Sequence, residues 1–148
     1  MDITEIPFNQ FLGIKKSPSD GLHLLELDDL PVYRNHLGTV HAGVQMALAE
    51  AASAEYLLRT FQGVDAGVLA VVRRVQAKFK NLVTGKVFAK ADCAPEELVR
   101  FSTALDAKGK ASIGVTVDIS DAGGVVAMSS VIEWFIQRPK QEATAGDG

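Results

Sequence analysis

Cysteine is almost absent from this chain. Its 148 residues hold one, Cys93, which leaves no disulfide framework to build on. Cys93 falls in an apolar strand pattern, and that predicts a buried, inert thiol rather than a nucleophile. An excess of basic charge is missing too. Fifteen Lys and Arg stand against 18 Asp and Glu, for a formal charge of -3, so the chain has no overall basic footprint for nucleic acid. No apolar run approaches the ~18–20 residues that span a bilayer, and the start, Met1-Asp2-Ile3-Thr4-Glu5, lacks a charged-then-apolar leader pattern. These features read as a soluble, cytoplasmic protein. There is no Gly-x-Ser-x-Gly for a serine hydrolase. The three histidines show no i, i+4 spacing and no Cys or Asp cluster completes a metal set, so neither a metal nor a separate cofactor is expected.

What is present is apolar mass. At 47% hydrophobic content the chain is long enough to bury a core as one domain, expected over residues 1–138, with a small, polar, flexible tail over 139–148. Pro7 to Gly13 reads as a short helical turn. Leu22 to Leu27 reads as a first strand, ended by Asp28, Asp29 and Pro31. From about Ala42 to Thr60 Ala, Leu, Met, Gln and Glu dominate, and no Gly or Pro interrupts after Gly43, which predicts a helix. Its apolar residues point most of the way round, so protein should enclose it. After Gly63 and Gly67 the period changes. Val68 to Lys80 reads as one long strand whose later half sets Val75, Ala77 and Phe79 against Arg74, Gln76, Lys78 and Lys80. Lys86 to Cys93, Arg100 to Ala107, Ala111 to Ile119 and Val125 to Ile136 read as further strands. Lys108-Gly109-Lys110 and Asp121-Ala122-Gly123-Gly124 supply hairpin signals.

One strand, one enclosed helix and about five strands in antiparallel succession predict an α+β domain of hotdog type, a curled sheet of about six strands around one long central helix. Such a sheet covers the helix on one side, so at least a homodimer is expected, with a dimer of dimers as the larger alternative.

The candidate site lies where Asn35-His36-Leu37-Gly38-Thr39-Val40-His41-Ala42-Gly43 runs into that helix. A polar turn before a helix leaves backbone N–H groups free to meet an oxyanion or a polarised carbonyl. Deeper in the helix stands an acid, Glu50, whose burial costs free energy unless it is paired or used. Ala42 and Glu50 are eight residues apart, roughly 12 Å at about 1.5 Å per residue. One substrate cannot meet both within one chain, which predicts composite sites shared by two subunits.

Asn35, His41-Ala42-Gly43 and Glu50, at spacings of six and nine, resemble the 4-hydroxybenzoyl-CoA thioesterase group of hotdog proteins, and within it the phenylacetate-pathway, PaaI-type enzymes. The resemblance covers about residues 8–137. It implies an acyl-CoA thioesterase in which the Ala42 amide, helped by Gly43, holds the thioester oxygen. Glu50 of the other subunit would attack the carbonyl or activate water, Asn35 would orient water or thioester, and His41 would brace the turn. Coenzyme A would belong to the substrate. The pattern departs from the family where Ala42 replaces a glycine and where Val71-Val72-Arg73-Arg74 carries no hydroxyl; Ala54 stands one turn after the acid, and the loop after Phe79 lacks a proline.

Arg73 and Val72 are candidate substrate-binding residues. Alternation with Val75 places Arg73 on the helix side, where it could pair with Glu50 or bind a substrate carboxylate or a CoA phosphate; a β-bulge would instead turn it outward. Arg74, Lys78 and Lys80 form a solvated face that could meet CoA phosphates. His23 and His36 read as ordinary strand and loop residues. Two other functions fit the same fold, a non-catalytic acyl-CoA-binding protein and, less well, a hydratase or dehydratase.

Overall fold

The structure is a computed structural model that describes residues 1–18, 21–61 and 67–140. Gly63 and most of the expected tail, 141–148, lie outside the described residues. Six strands form one antiparallel sheet: β1 (Lys15–Lys16), β2 (Leu25–Leu27), β3 (Leu69–Phe79), β4 (Val87–Asp92), β5 (Lys110–Asp121) and β6 (Val126–Gln137), in the order β1-β2-β4-β5-β6-β3. Helix α1 (Pro7–Leu12) opens the chain, α2 (Ala42–Thr60) follows β2, and α3 (Pro95–Lys108) joins β4 to β5. The curled sheet packs β2, β4, β5 and β6 against α2, which is the hotdog arrangement.

The long helix keeps the bounds read from its composition. Its fully buried Leu48, Ala49, Ala51 and Ala52 explain how the sheet comes so close: alanine fills a face without holding the backbones apart. The facing strands β5 and β6 alternate, with Ile113, Val115, Val117 and Ile119 inward on one and Ile132, Trp134 and Ile136 on the other.

Three expectations change. The segment from Arg100 to Ala107 is not a strand but most of α3. Pro95 sits in its first turn beside Glu96 and Glu97, Phe101 and Leu105 form its buried stripe, and Gly109 closes it at φ 70°. The first strand shortens to β2, and the short β1 pairs beside it. The last five strands are not a simple succession either. β3 pairs with β6 across the sheet and forms an edge of the described chain.

No described helix is long and apolar enough to cross a membrane.

Candidate active site

Asn35 folds the turn back on itself. Its Oδ1 accepts from the N–H groups of Leu37 (2.9 Å) and Thr39 (3.1 Å), its Nδ2 donates to Thr39 Oγ1 (2.9 Å), and its own N–H donates to the Thr39 carbonyl (2.8 Å). Gly38 takes the left-handed conformation, φ 75°, that so tight a turn demands. The chain is then pinned just ahead of α2, Val40 N–H to the Val83 carbonyl at 2.9 Å and His41 N–H to the Tyr33 carbonyl at 2.8 Å.

His41 is the N-cap. Its Nδ1 accepts from Gly43 N–H at 2.8 Å, so the imidazole braces the turn and the Gly43 amide is engaged. A side chain at position 43 would place its Cβ 3.1 Å from that same nitrogen, which is why glycine stands there. The Ala42 N–H, in contrast, has no partner among the described residues. Ala42 keeps an ordinary negative φ, so alanine costs the turn nothing. Together with the helix dipole its amide is a free donor at this end, beside the cavity that Ala42 lines.

Asn35, Ala42 and Gln45 share a cavity of about 290 Å³ with Val40 and the segment Phe79 to Leu82. Gln45 is buried, donates from Nε2 to the Val40 carbonyl at 3.1 Å, and leaves Oε1 without a partner among the described residues.

Glu50 opens on a different cavity. About 220 Å³ of space lies among Ala51, Ala54, Leu57 and Leu58 of α2, Met1, Ile3 and Ile6 of the amino-terminal segment, Val68 and Ala70 at the start of β3, and Trp134 and Ile136 of β6. Among the described residues of this wall Glu50 is the one ionisable side chain, and burial pushes its carboxyl above the ordinary carboxylate range. Among the described residues its side chain meets no cation. The floor is rigid: Trp134 Nε1 donates to Ser53 Oγ at 2.8 Å, and Ser53 Oγ donates to the Glu50 carbonyl at 2.6 Å.

Arg73 does not reach the helix side. A register shift between Val72 and Arg74 leaves it as the extra residue of a bulge, and its guanidinium lies over the Phe135 ring, 5.3 Å from the centroid, on the outer face. Val72 pairs with Trp134 on the inner face, although it does not line the Glu50 cavity. The structure thus gathers Asn35 and Ala42 at one cavity and Glu50 at another, and separates Arg73 from both.

Cys93 is buried as expected. Its thiol donates to the Gly114 carbonyl and is pushed up to about 11 by burial, which makes it inert. Among the described residues no group of three or more His, Cys, Asp or Glu could hold a metal. Sequence reasoning passed over Gln45, Trp134 and a second acid of α2, Glu55. Glu55 is buried and paired, at 2.8 Å from Arg59 and 3.9 Å from Lys16. The Glu55–Arg59 spacing of four was a legible sign of that pairing.

Residues 19–136 match a family model described as a domain of unknown function, DUF4442. No curated protein matches the chain. Many solved structures do. PA5026 from Pseudomonas aeruginosa, a protein of unknown function described as a probable thioesterase, is 22% identical over 91% of this chain and 90% of its own, with a TM-score of 0.75. Thioesterase HI1161 from Haemophilus influenzae is 18% identical over 95% and 90%, with a TM-score of 0.67. BH2602 from Bacillus halodurans, solved with CoA, is 18% identical over 87% and 74%, also at 0.67. At these identities the likeness shows the fold.

Proposed function

The chain belongs to the DUF4442 family, and on that footing we propose that it is an acyl-CoA thioesterase of the PaaI-type arrangement, working as a dimer. The observation that carries the reading is Glu50, an acid with no cation partner among the described residues and a raised carboxyl pKa, on the wall of a largely apolar cavity. A general base needs that environment: close enough to neutrality to take a proton, and unencumbered by a cation. Structural neighbours described as thioesterases, and one solved with CoA, support the same chemistry.

Glu50 takes a proton from water as the water oxygen adds to the thioester carbonyl carbon. The Ala42 N–H of the other subunit holds the oxyanion that forms. Collapse of that intermediate breaks the carbon–sulfur bond, and the departing thiolate receives the proton from Glu50. The products are the free acid and CoA. Two subunits are needed because Ala42 and Glu50 open on different cavities of one protomer. The acyl group occupies the Glu50 cavity. Since a cavity of about 150 Å³ holds benzene, the 220 Å³ here suits an aryl or medium-length acyl group.

The test is thiol release from a panel of CoA esters. Wild type is expected to hydrolyse phenylacetyl- or octanoyl-CoA well above palmitoyl-CoA, and Glu50→Gln to lose about 10²-fold or more of kcat. Full activity in Glu50→Gln would overturn the mechanism. Tight CoA-ester binding with no hydrolysis by wild type would leave a binding protein in its place.

A further inference from the structure

The cavity at the start of α2 contains an acceptor that the hydrolytic step does not use. Gln45 is 4% exposed, its Nε2 is fixed on the Val40 carbonyl at 3.1 Å, and that bond determines which way the carboxamide faces. Oε1 is left buried without a hydrogen-bond donor among the described residues. Such an atom costs free energy in any folded chain until something donates to it. The other carboxamides on this wall differ: Asn35 is taken up by its turn, and Asn81, which donates from Nδ2 to the Val126 carbonyl at 2.8 Å, is exposed to solvent.

We infer that Gln45 forms a subsite for the secondary amide nearest the sulfur of a pantetheine thioester, its Oε1 accepting from that amide N–H. This rests on the thioesterase reading, because the Ala42 amide locates the thioester oxygen. Gln45 follows Ala42 by three residues, so the two lie on one helix face with Cβ atoms about 5–6 Å apart. In a pantetheine thioester the carbonyl carbon and the amide nitrogen are separated by the sulfur and two methylenes, about 5 Å when extended. A substrate whose carbonyl oxygen meets the Ala42 amide therefore carries its own amide along the stretch of cavity wall that Gln45 lines. The subsite reads the thiol half of the ester and is indifferent to the acyl half. It selects carriers with a pantetheine arm, whether free CoA or a protein-bound phosphopantetheine.

Two isosteric substrates isolate the contact: the N-acetylcysteamine thioester of the preferred acyl group, and the same compound with an oxoester oxygen replacing the amide N–H. Wild type is expected to favour the amide by about ten- to hundredfold in kcat/KM. In Gln45→Leu, and in Gln45→Met should the first fold poorly, that ratio falls to near one. Equal rates on both compounds in wild type would overturn the subsite and leave the thioesterase reading standing. Should no thioester be hydrolysed, the S-alkyl thioethers of the same pair carry the test by calorimetry. Preference for the amide that Gln45→Leu abolishes supports the subsite, and equal affinity overturns it. Comparing acyl-CoA with an acylated carrier protein then tells the two sources of the arm apart.

Discussion

Glu55 has Arg59 at 2.8 Å and Lys16 at 3.9 Å, whereas Glu50, five residues earlier on the same helix, has no cation partner among the described residues and a largely apolar cavity in front of it. Burial alone sets the direction of the Glu50 shift, above 4.5. The folded state therefore holds a proton at Glu50 more readily than the unfolded chain does. Stability from this group is present below the ordinary carboxyl value, falls as pH rises toward the folded value, and stays lowered above it. Catalysis needs the opposite, ionised form. The acidic limb of log kcat against pH should accordingly fall above 4.5, and Glu50→Gln should melt higher than wild type at pH 7 while losing activity. A calorimetric scan and a pH–rate profile check both, and a variant that melts lower than wild type would contradict the unpaired, desolvated state of the acid.

At the scale of elements, the start of α2 depends on a cap that most helices build from Ser, Thr, Asp or Asn. Here an imidazole does the work, and Gly43 makes room for it. His41→Ala should cost about 1 kcal/mol and depress kcat by loosening the Ala42 amide, while His41→Asn should restore most of both. Urea melts and kinetics on the pair decide it; equal loss in the two variants would mean that the ring does more than cap. The helix α2 was legible because Ala, Leu, Met, Gln and Glu dominate its nineteen residues and no Gly or Pro interrupts after Gly43. The misread element, α3, carried its signals as well: Pro95 with two acids after it and Gly109 beyond. Pro95 serves strand end and helix start equally well on sequence, and here it starts a helix whose apolar residues Leu98, Phe101 and Leu105 stand at helical spacing. Arg73 was legible only as alternatives, because alternation cannot locate a one-residue bulge. Gln45 was invisible for another reason: a glutamine among helix formers betrays its burial only once the packing is known.

For the whole molecule, β3 is the long edge of the sheet, opposite the two-residue β1. Its inward residues Val75 and Phe79 pair with the buried Ile132 and Met128 of β6, yet remain 45% and 48% exposed. An eleven-residue edge strand with an exposed apolar face is a template for another strand. A second copy joining there would cover that face and bring one subunit's Glu50 toward the other's Ala42. Val75→Asp should therefore yield a monomer by light scattering and reduce hydrolysis to a few per cent of wild type or less, since assembly and catalysis fail together. A fully active monomer would refute the shared site.

The molecule has a single indole, and it forms part of the floor of the Glu50 cavity, tied through Ser53 to the backbone beneath the acid. Its emission is therefore an optical gauge of that one compartment. An acyl chain sliding in displaces solvent from the ring and shifts the spectrum, and no dye or label is needed to follow the cavity filling and emptying in real time.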